Sequence, residues 1–474
     1  MLVHRTLKSG GILPFRGRVA ACTARRSVHA GRSGGQALHQ SHDLSDSRQS
    51  HRAPLFDRRP PTYRVPMRAS AEATITELSP SIAIETGRAS SALKPRVESV
   101  DVVRGIAMIL MALDHTRDFF GAAGDPTNLA RASTALFLTR WVTHVCAPTF
   151  FLLTGTGAAL SRSRKTRSEL AAFLFTRGLW LLVLEIVVVR CFGLQFNFDY
   201  RVTLLEVIWA LGWSMIVLSL LVFVPVWLTG AFGVALIAGH NLLDGIRSAN
   251  PLWVILHGPG FVLRTPEHTV FAAYPLIPWI GVTAAGYALG SIYLWPPERR
   301  RIFLLRLALA LPCAFALIRL INHYGDPSPW RVQTSALRTI LSFLNTTKYP
   351  PSLLFLLMTL GFTMLGLWAF DRRVPQGFTP ALRIGRVPLF YFLVHLPLIH
   401  ALAAATAYVR YGTAHWFFES PSLDRYPFTR PPGWGYSLPV VYALWAFVVI
   451  SLYPACRWFG ELRARNRAKW LSYL

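Results

Sequence analysis

Long apolar runs dominate the chain and constrain its fold more than any other feature. An α-helix rises about 1.5 Å per residue, so roughly 20 apolar residues cross the ~30 Å hydrocarbon core of a bilayer. Runs near this length recur along the sequence, separated by short polar stretches. We therefore predict an all-α fold, a polytopic transmembrane helical bundle of about ten spans. The predicted spans are 101–120, 134–160, 169–192, 202–224, 226–243, 269–293, 300–322, 351–370, 384–407 and 437–457.

The composition is typical of a membrane protein rather than a soluble domain. Only 15% of the 474 residues are charged, against about 25% in soluble proteins, and 53% are hydrophobic. The net charge of +26 is spread over the N-terminal segment and the short loops between spans. Because membrane orientation itself requires basic loops, we expect a lipid bilayer and no nucleic acid among the partners.

The distribution of basic residues between loops predicts the orientation of the bundle. Loops 161–167, 298–301 and 371–386 and the tail 457–469 are strongly basic, whereas the alternate loops mix basic residues with acids. Lys and Arg accumulate on the cytoplasmic side of membranes. With an even number of spans, both termini are then cytoplasmic. We expect a multi-pass protein of a bacterial inner (plasma) membrane.

The beginning of the chain differs in composition from the rest. Residues 1–96 are rich in Arg, Ser, Gly, Pro and His and lack apolar periodicity, which predicts a disordered basic segment. An Arg- and Ser-rich, acid-poor start is also typical of a transit peptide, and translation from Met67 would leave the preceding residues out of the protein. The sequence leaves these three alternatives open. The predicted transmembrane domain spans residues 97–474.

Ionisable residues inside the apolar runs gather at one depth. Such residues are costly in hydrocarbon, so they normally face a protein-lined cavity and indicate a functional site. Given the predicted orientation, their positions along the spans predict a polar chamber that opens to the extracytoplasmic side. The polar residues at this depth are Asp114, His115, His144, Glu185, Glu206, Tyr274, Lys348, Tyr349 and His395.

Asp114, His115 and His144 are the candidates for catalysis. A carboxylate near an imidazole raises its basicity and lets it act as a base or a nucleophile. We interpret His115 as a general base or transient acyl carrier, His144 as its helper and Asp114 as the group that orients one imidazole. Adjacent helical residues point about 100° apart, however, so Asp114 could serve another partner. The spacing of the three residues matches no zinc motif, so we expect no metal.

Simpler structural roles stay open for several other residues. Glu185 could form an ion pair with Arg190, and Glu206 could cap the start of the fourth span. His395, alone on an apolar helix, could be a packed and hydrogen-bonded histidine. His400 lies near the end of a span, where we expect it to be solvated.

Several separate stretches of the chain resemble a known family of membrane acetyltransferases. SVDVVRGIAMILMALDHTRDFF (99–120) and THVCAPTFFLLTGTGAAL (143–160) resemble the heparan-α-glucosaminide N-acetyltransferase catalytic family, specifically its bacterial members of unassigned function. The resemblance extends over most of 98–474. Further similar stretches are LLEVIWALGWSMI (204–216), YPLIPWIGVTAAGYALG (274–290), KYPPSLLFLLMTLG (348–361) and GRVPLFYFLVHLPLIH (385–400).

The resemblance implies the transfer of an acetyl group across the membrane. Acetyl-CoA would be supplied from the cytoplasm, and the acceptor, a glycan or a small amine, would lie on the far side. Arginine suits the phosphates of such a cosubstrate because its guanidinium forms paired hydrogen bonds with them. The candidate cosubstrate-binding residues of the cytoplasmic half are Asp101, Arg104, Arg177 and Arg386. The candidate acceptor-binding residues are Glu185, Glu206, Tyr274, Lys348, Tyr349 and His395.

The chain departs from the family at a histidine that is implicated in catalysis in the animal enzymes. That histidine follows the first span, and residues 116–143 contain none. The family's Asn near the outer end of the first span aligns with His115, and an Asp of the second span aligns with His144. A histidine-based mechanism would therefore have a different placement in this chain.

A proton-coupled membrane transporter is the alternative to an acyltransferase. Intramembrane clusters of Asp, Glu and His also form proton relays. Inverted repeats with broken, paired helices would favour a transporter, and no repeat is evident in the sequence. The acceptor, the acyl group and the formation of a homo-oligomer stay open at this level.

Overall fold

The computed structural model describes residues 96–466, 468, 471 and 473, which form a bundle of helices. Of the predicted disordered segment 1–96, all but Arg96 lies outside the described residues. The α-helices, numbered in chain order, are α1 (Glu98–Phe120), α2 (Thr134–Thr143), α3 (Cys146–Ser161), α4 (Arg167–Val183), α5 (Val207–Leu221), α6 (Val226–Gly239), α7 (Pro251–Leu256), α8 (Leu276–Gly290), α9 (Pro297–Ile321), α10 (Ala336–Leu344), α11 (Leu353–Phe370), α12 (Thr379–Gly385), α13 (Pro388–Tyr411) and α14 (Leu438–Arg465).

Eight helical segments of the described chain are long and apolar enough to cross a membrane. The prediction of a multi-pass helical membrane protein is thereby confirmed. The other two predicted spans are also helical, but α1 carries several charged residues and α5 has only 15 residues. The eight segments are Thr134–Ser161, Arg167–Leu194, Val226–Leu243, Leu276–Leu294, Pro297–Ile321, Leu353–Phe370, Pro388–Tyr411 and Leu438–Arg465.

The degree of burial separates perimeter helices from central ones. Only 22% of the apolar window of α9 and 17% of that of α14 is buried, and Ile321 and Ile450 are 73% and 70% exposed. In α8 the buried share is 72%, because this helix packs against α3, α5 and α6. Extended apolar surface of this kind is stable against lipid, so α9 and α14 belong to the perimeter.

A small sheet precedes α5 and α8. Its strands are β1 (Val202–Leu205), β2 (Gly260–Arg264) and β3 (Thr269–Ala272); β3 lies in the middle, parallel to β1 and antiparallel to β2. The prediction that helical spans begin at 202 and 269 is therefore wrong, since these helices start only at Val207 and Leu276. The strand segments are short and rich in Val, Thr, Leu and Phe, and hydropathy alone does not distinguish such runs from helix.

Local departures from α-helical geometry occur inside two predicted spans. Pro148 has no N–H to donate to the carbonyl of His144, and its ring crowds that carbonyl, so the second span divides into α2 and α3. His144 lies in this break, directly after the end of α2. After Val183, α4 widens into a π-helix, Leu184–Leu194, a form that occurs frequently at functional sites.

Helix α1 packs against α2, α3, α11, α12, α13 and α14, and so lies at the centre of the residues considered below. It approaches α12 at glycines on both helices. A Cβ atom on Gly385 would collide with the carbonyl oxygen of Asp101, and one on Gly105 would collide with that of Ala381. The two backbones can therefore touch, which brings Arg386, directly after α12, next to Asp101.

Candidate active site

Helix α1 carries two polar clusters, one towards each end. Arg104 and His115 are 11 residues apart in the sequence, which separates them by about 16 Å along the helix axis. We call the cluster around Asp101 and Arg104 the arginine end. The cluster around Asp114 and His115 is the histidine end.

At the histidine end, His115 is hydrogen-bonded to His395 of α13. The His115 Nδ1 and His395 Nε2 atoms are 2.7 Å apart, and the two ring planes are inclined by 20°. His395 is fully buried, whereas His115 is partly exposed. The pair therefore links a partly accessible imidazole to one that is enclosed by protein.

The backbone of α13 determines which nitrogen of each ring carries the proton. The Nδ1 atom of His395 lies 2.7 Å from the carbonyl oxygen of Phe392, and a carbonyl oxygen can only accept a hydrogen bond. Nδ1 of His395 is therefore protonated, and in the neutral ring Nε2 has the lone pair. The Nδ1–H of His115 must donate to that lone pair, which leaves the lone pair of His115 on its own Nε2. Within the described residues this Nε2 makes no hydrogen bond, so it is available as a base.

Asp114 contacts arginines instead of an imidazole. Its carboxylate forms salt bridges with Arg117, at 2.8 Å, and with Arg140 of α2. The predicted arrangement, in which Asp114 orients a catalytic imidazole, is not the one found, because the histidine on α13 takes that position beside His115. The cause is the angle of about 100° between successive helical side chains, which directs Asp114 and His115 to different neighbouring helices.

His144 lies in the same region as the histidine pair but is not hydrogen-bonded to it in the described structure. Its ring packs edge-on against Phe355, with ring centroids 5.3 Å apart, and its Nδ1 atom is buried without a hydrogen-bond partner. The charges of Arg140 and Lys348 act on His144 as they do on His115. The structure thus places the two catalytic candidates in one electrostatic environment without direct contact.

The two acids predicted to bind the acceptor have different surroundings. Glu185 is 2% exposed, and its carboxylate accepts the backbone N–H of Glu206 at 3.0 Å, where α5 begins. A carboxylate in this position stabilises the start of a helix. The alternative ion pair with Arg190 does not form, since Arg190 binds Asn197 and Asp199. The partly exposed Glu206 does not cap α5 with its own side chain, which has no hydrogen bond or salt bridge within the described residues.

Lys348 contributes a positive charge to the histidine end. Its ammonium interacts electrostatically with Asp114 and His115 of α1, with His144 after α2 and with Glu206 before α5. No carboxylate oxygen of the described chain lies within 4.0 Å of this ammonium, so Lys348 forms no salt bridge there. The ammonium therefore acts on four of the predicted site residues and has no salt-bridge partner among the described residues.

Two tyrosines lie beside this lysine. The rings of Tyr274 and Tyr349 meet edge to face, with centroids 5.3 Å apart, and Tyr274 also stacks on Trp279. The ammonium of Lys348 lies 5.1 Å from the centre of the Tyr349 ring. These residues come from the segments just before α8 and α11, so both segments form one wall of the histidine end.

Sequence reasoning missed several charged residues of the histidine end. Arg117 bridges Asp114 and Asp118, and Arg430 donates to the backbone carbonyls of Asp118 and Gly121 from the loop between α13 and α14. The spacing of three residues between Asp114 and Arg117 on a helix was a usable signal. Arg430 gave none, because only the folded loop brings it to α1.

Tyr426, from the same loop, was also missed. Its hydroxyl is buried without a hydrogen-bond partner, and the charges of Glu185 and Glu206 act on it. Burial raises the pKa of Tyr426 well above its usual value, so the hydroxyl stays protonated and can donate a hydrogen bond. The loop thus supplies a neutral donor close to two carboxylates.

At the arginine end, Asp101 holds several guanidinium groups together. Its carboxylate forms salt bridges with Arg96, at 2.5 Å, and Arg104, at 3.0 Å, and lies 3.9 Å from Arg386. Arg386 also pairs with Glu98 at 3.0 Å. Three arginines against two acids leave this cluster positive. Asp101 is 3% exposed and already paired, so it acts on the arginines and not as a direct contact for a ligand.

A cavity of about 230 Å³ lies beside these arginines. Three of the four predicted cosubstrate-binding residues line it. Its basic lining residues are Arg96, Arg104, Arg177, Arg386 and Arg463. A set of guanidinium groups around one cavity is a suitable site for a phosphorylated ligand.

The rest of the cavity wall is mostly apolar and leads towards the histidine end. Met108 on α1 and Phe150 on α3 lie along it, and Ile208 lines it at the start of α5. Phe392 also lines it, and the carbonyl of this residue accepts the proton of His395 Nδ1. The cavity therefore extends from the arginine cluster to about one helical turn from His395 on α13 and about two turns from His115 on α1.

The prediction that His400 is solvated is wrong. Its ring is fully buried, its two nitrogens lie 3.1 and 2.8 Å from the carbonyl oxygens of Gly193 and Phe417, and it stacks on Phe196 at 3.8 Å. His400 lies in the middle of α13, where the end of the π-helix and the chain after α13 cover it and exclude solvent.

Comparison with known families supports the resemblance seen in the sequence. Residues 96–320 match the family described as "Heparan-alpha-glucosaminide N-acetyltransferase, catalytic". No curated protein matches the chain. The match covers α1 to α9 and therefore includes His115 and Arg104. It ends before Lys348, Arg386 and His395. It is therefore shorter than the resemblance expected over most of 98–474. Residues 96–320 are thus similar to the heparan-α-glucosaminide N-acetyltransferase catalytic family, within a multi-pass membrane protein.

Proposed function

We propose that the protein is an integral membrane acyltransferase that moves an acetyl group from cytoplasmic acetyl-CoA to an amine or hydroxyl of an extracytoplasmic glycan or envelope component. The observation that carries the proposal is the cavity that leads from five arginines towards the His115–His395 pair. It combines an anion-binding entrance and an apolar interior with a base that lies about two helical turns beyond Met108. Acetyl transfer from a thioester across a membrane requires these three features.

The arginine end fits the phosphates of acetyl-CoA. The Nε atom of Arg386 is buried without a hydrogen-bond partner, and Arg104 is held by Asp101 at the cavity wall. The apolar lining would surround the pantetheine arm, whose extended length is comparable to the ~16 Å between Arg104 and His115 along α1. When bound, acetyl-CoA would supply the activated acyl group. This arrangement agrees with the basic loops that predict a cytoplasmic arginine end.

His115 is the proposed general base. Its Nε2 takes the proton of the acceptor amine or hydroxyl as the acceptor atom bonds to the acyl carbon, and then returns that proton to the departing thiolate sulfur. The imidazolium present between these transfers is stabilised because its Nδ1–H donates to His395. A positioned base of this kind contributes about 10²–10⁴-fold to the rate.

The histidine end is the proposed acceptor site. Glu206 has a carboxylate without a protein partner among the described residues, so it can bind an ammonium or hydroxyl group of the acceptor. The positively charged ammonium of Lys348 can donate hydrogen bonds to the acceptor. The rings of Tyr274 and Tyr349 offer a flat apolar surface against which a sugar can pack. In this proposal Asp114 acts on His115 through its charge and holds Arg117 and Arg140 in place, and His144 packs beside the site against Phe355.

The test uses the purified full-length protein in lipid nanodiscs with acetyl-CoA and D-glucosamine as the acceptor probe, and it measures the release of free thiol. We expect thiol release that depends on the acceptor and falls at least about 100-fold in His115→Ala. His323→Ala, which changes an exposed loop histidine, is the matched control and should behave like the wild type. Equal rates in His115→Ala and wild type would remove His115 from the mechanism.

The same preparation separates the acyltransferase from a proton-coupled transporter. An acyltransferase consumes acetyl-CoA and forms an acetylated product of the acceptor, which mass spectrometry detects. A transporter reconstituted in liposomes would instead accumulate substrate under a pH gradient and leave acetyl-CoA intact. Uptake without acetylation, across a panel of amine and hydroxyl acceptors, would contradict the proposal.

A further inference from the structure

A second polar cluster lies apart from the proposed active site, where α6 ends. His240 begins the short 3₁₀ turn that follows α6, Asp244 follows this turn, and His257 lies directly after α7. A ring nitrogen of each histidine and a carboxylate oxygen of Asp244 all lie within 4.8 Å of one another. The cluster is therefore built from consecutive elements of one loop region, with a spacing of three residues and then twelve between its members.

The histidines of this cluster are buried with unsatisfied nitrogens. His240 is 2% exposed, and neither of its ring nitrogens makes a hydrogen bond, although one faces the carbonyl of Pro351. His257 is 3% exposed; its Nε2 lies 3.2 Å from a carboxylate oxygen of Asp244, and its Nδ1 has no partner. Buried polar atoms without partners are costly, so an unfilled cluster of this kind is an unfavourable arrangement.

The donor set is that of a transition-metal site. Two imidazoles and one carboxylate are ligands of zinc, which binds them at about 2.0–2.2 Å in a tetrahedron that can keep a water molecule in the fourth position. Tetrahedral ligands at these bond lengths are about 3.4 Å apart, close to the separation of His257 Nε2 and Asp244. The ligand atom of His240 lies within 4.8 Å of the other two, so its ring would have to approach them by up to about 1.4 Å. We propose that His240, Asp244 and His257 bind one divalent transition-metal ion, with Zn²⁺ as the fitting occupant.

The surrounding contacts indicate what such an ion would do. Asn241, next to His240, accepts the backbone N–H of Leu353 at 2.8 Å and donates to Asp244 at 2.8 Å. Pro351 and Leu353 belong to the segment that carries Lys348 and Tyr349 into the histidine end. A bound ion would therefore tie the loop after α6 to one wall of the proposed acceptor site and would stabilise that wall. In this role the ion would take no part in acetyl transfer.

The experiment measures metal binding directly on full-length protein treated with a chelator and then freed of it. Zn²⁺ is titrated in competition with a chromophoric chelator. We expect His240→Gln and His257→Gln to bind one equivalent less than the wild type or to bind it at least about 100-fold more weakly, a larger loss than the roughly 10–100-fold that follows removal of a second-shell partner. His268→Gln, in the exposed turn between β2 and β3, is the matched control and should keep the wild-type binding.

Two further readouts on the wild type keep the test decisive if a variant fails to fold. Zn²⁺ should raise the melting temperature of the wild type and Mg²⁺ should not, because Mg²⁺ requires oxygen ligands. Co²⁺ should give the intense visible absorption of a four-coordinate ion, and Zn²⁺ should abolish it. Equal Zn²⁺ affinity and stoichiometry in wild type and His240→Gln would overturn the proposal, as would a wild type that shows neither the thermal shift nor the cobalt spectrum.

Discussion

The role of His395 gives the sharpest prediction, because this residue is buried and would contact neither substrate. His395→Leu removes the acceptor for the Nδ1–H of His115 and keeps Arg104, Arg386 and the cavity in place. The proposed base then loses its fixed tautomer and orientation. We expect turnover to fall while the KM for acetyl-CoA changes little.

The magnitude follows from the single hydrogen bond of 2.7 Å between the two rings. During proton transfer His115 becomes an imidazolium, and a hydrogen bond to a charged group contributes about 1.5–3 kcal/mol. Since 1.36 kcal/mol corresponds to a factor of ten in rate, kcat should fall about 10- to 150-fold. His115→Ala, which removes the base itself, should cost about 10²–10⁴-fold.

The assay is thiol release from acetyl-CoA with D-glucosamine, measured for both single variants and for the double variant. Because His395 acts through His115, the double variant should be no slower than His115→Ala alone. His395→Gln retains an acceptor near the former Nε2 position, so it should recover part of the activity. Losses that multiply in the double variant, or a large change in the KM for acetyl-CoA in His395→Leu, would refute this reasoning.

Three further predictions concern the two ends of α1. Arg386→Ala should raise the KM for acetyl-CoA at least about tenfold, because it removes a charged phosphate contact. Arg383 binds the Tyr453 hydroxyl outside the cavity, so Arg383→Ala should leave this KM unchanged. Lys348→Met should raise the KM for the acceptor by a similar factor and leave that for acetyl-CoA unchanged. Asp114→Ala leaves Arg140 without its carboxylate and Arg117 with Asp118 alone, so thermal unfolding should show a loss of about 3–5 kcal/mol. His115→Ala removes one neutral hydrogen bond to a buried ring and should lose only about 1–3 kcal/mol.

Most of the fold follows from sequence because bilayer thickness sets the length of a spanning helix. Hydropathy identified the eight apolar segments, and it also indicated α1 despite its charges. The short sheet was not predicted: β1 and β3 precede apolar helices, and the apolar runs continue through strand and helix alike. Their strand conformation depends on pairing between residues such as Val202 and Thr269, which are distant in sequence. Hydropathy along a single segment contains no information about which distant strand it pairs with.

The site was predicted as a set of residues but not as a set of pairs. Depth along each span predicted that His115, His144 and Lys348 belong to one group, because a helix rises by a fixed distance per residue. Which side chains meet also depends on the rotation of each helix about its axis and on the order of helices in the bundle. Sequence position does not give these for residues as far apart as His115 and His395, 280 residues from each other. Both His395 and Lys348 also lie beyond the segment matched by the family, so the family match could not supply the pairing.

The dipeptide Asp114–His115 shows how one turn of helix can serve two purposes in a membrane. Asp114 is directed to α2, where Arg140 and Thr143 bind its carboxylate, and Arg117 neutralises it further. A buried carboxylate is tolerable in such surroundings only when it is paired, and the two arginines meet this requirement without any imidazole. His115 is thereby left free of ion pairing and turned to α13, where the only demand on it is a neutral hydrogen bond. His115 therefore depends on His395, and not on a carboxylate, for its tautomer and orientation, which leaves its Nε2 as the atom that can accept a proton.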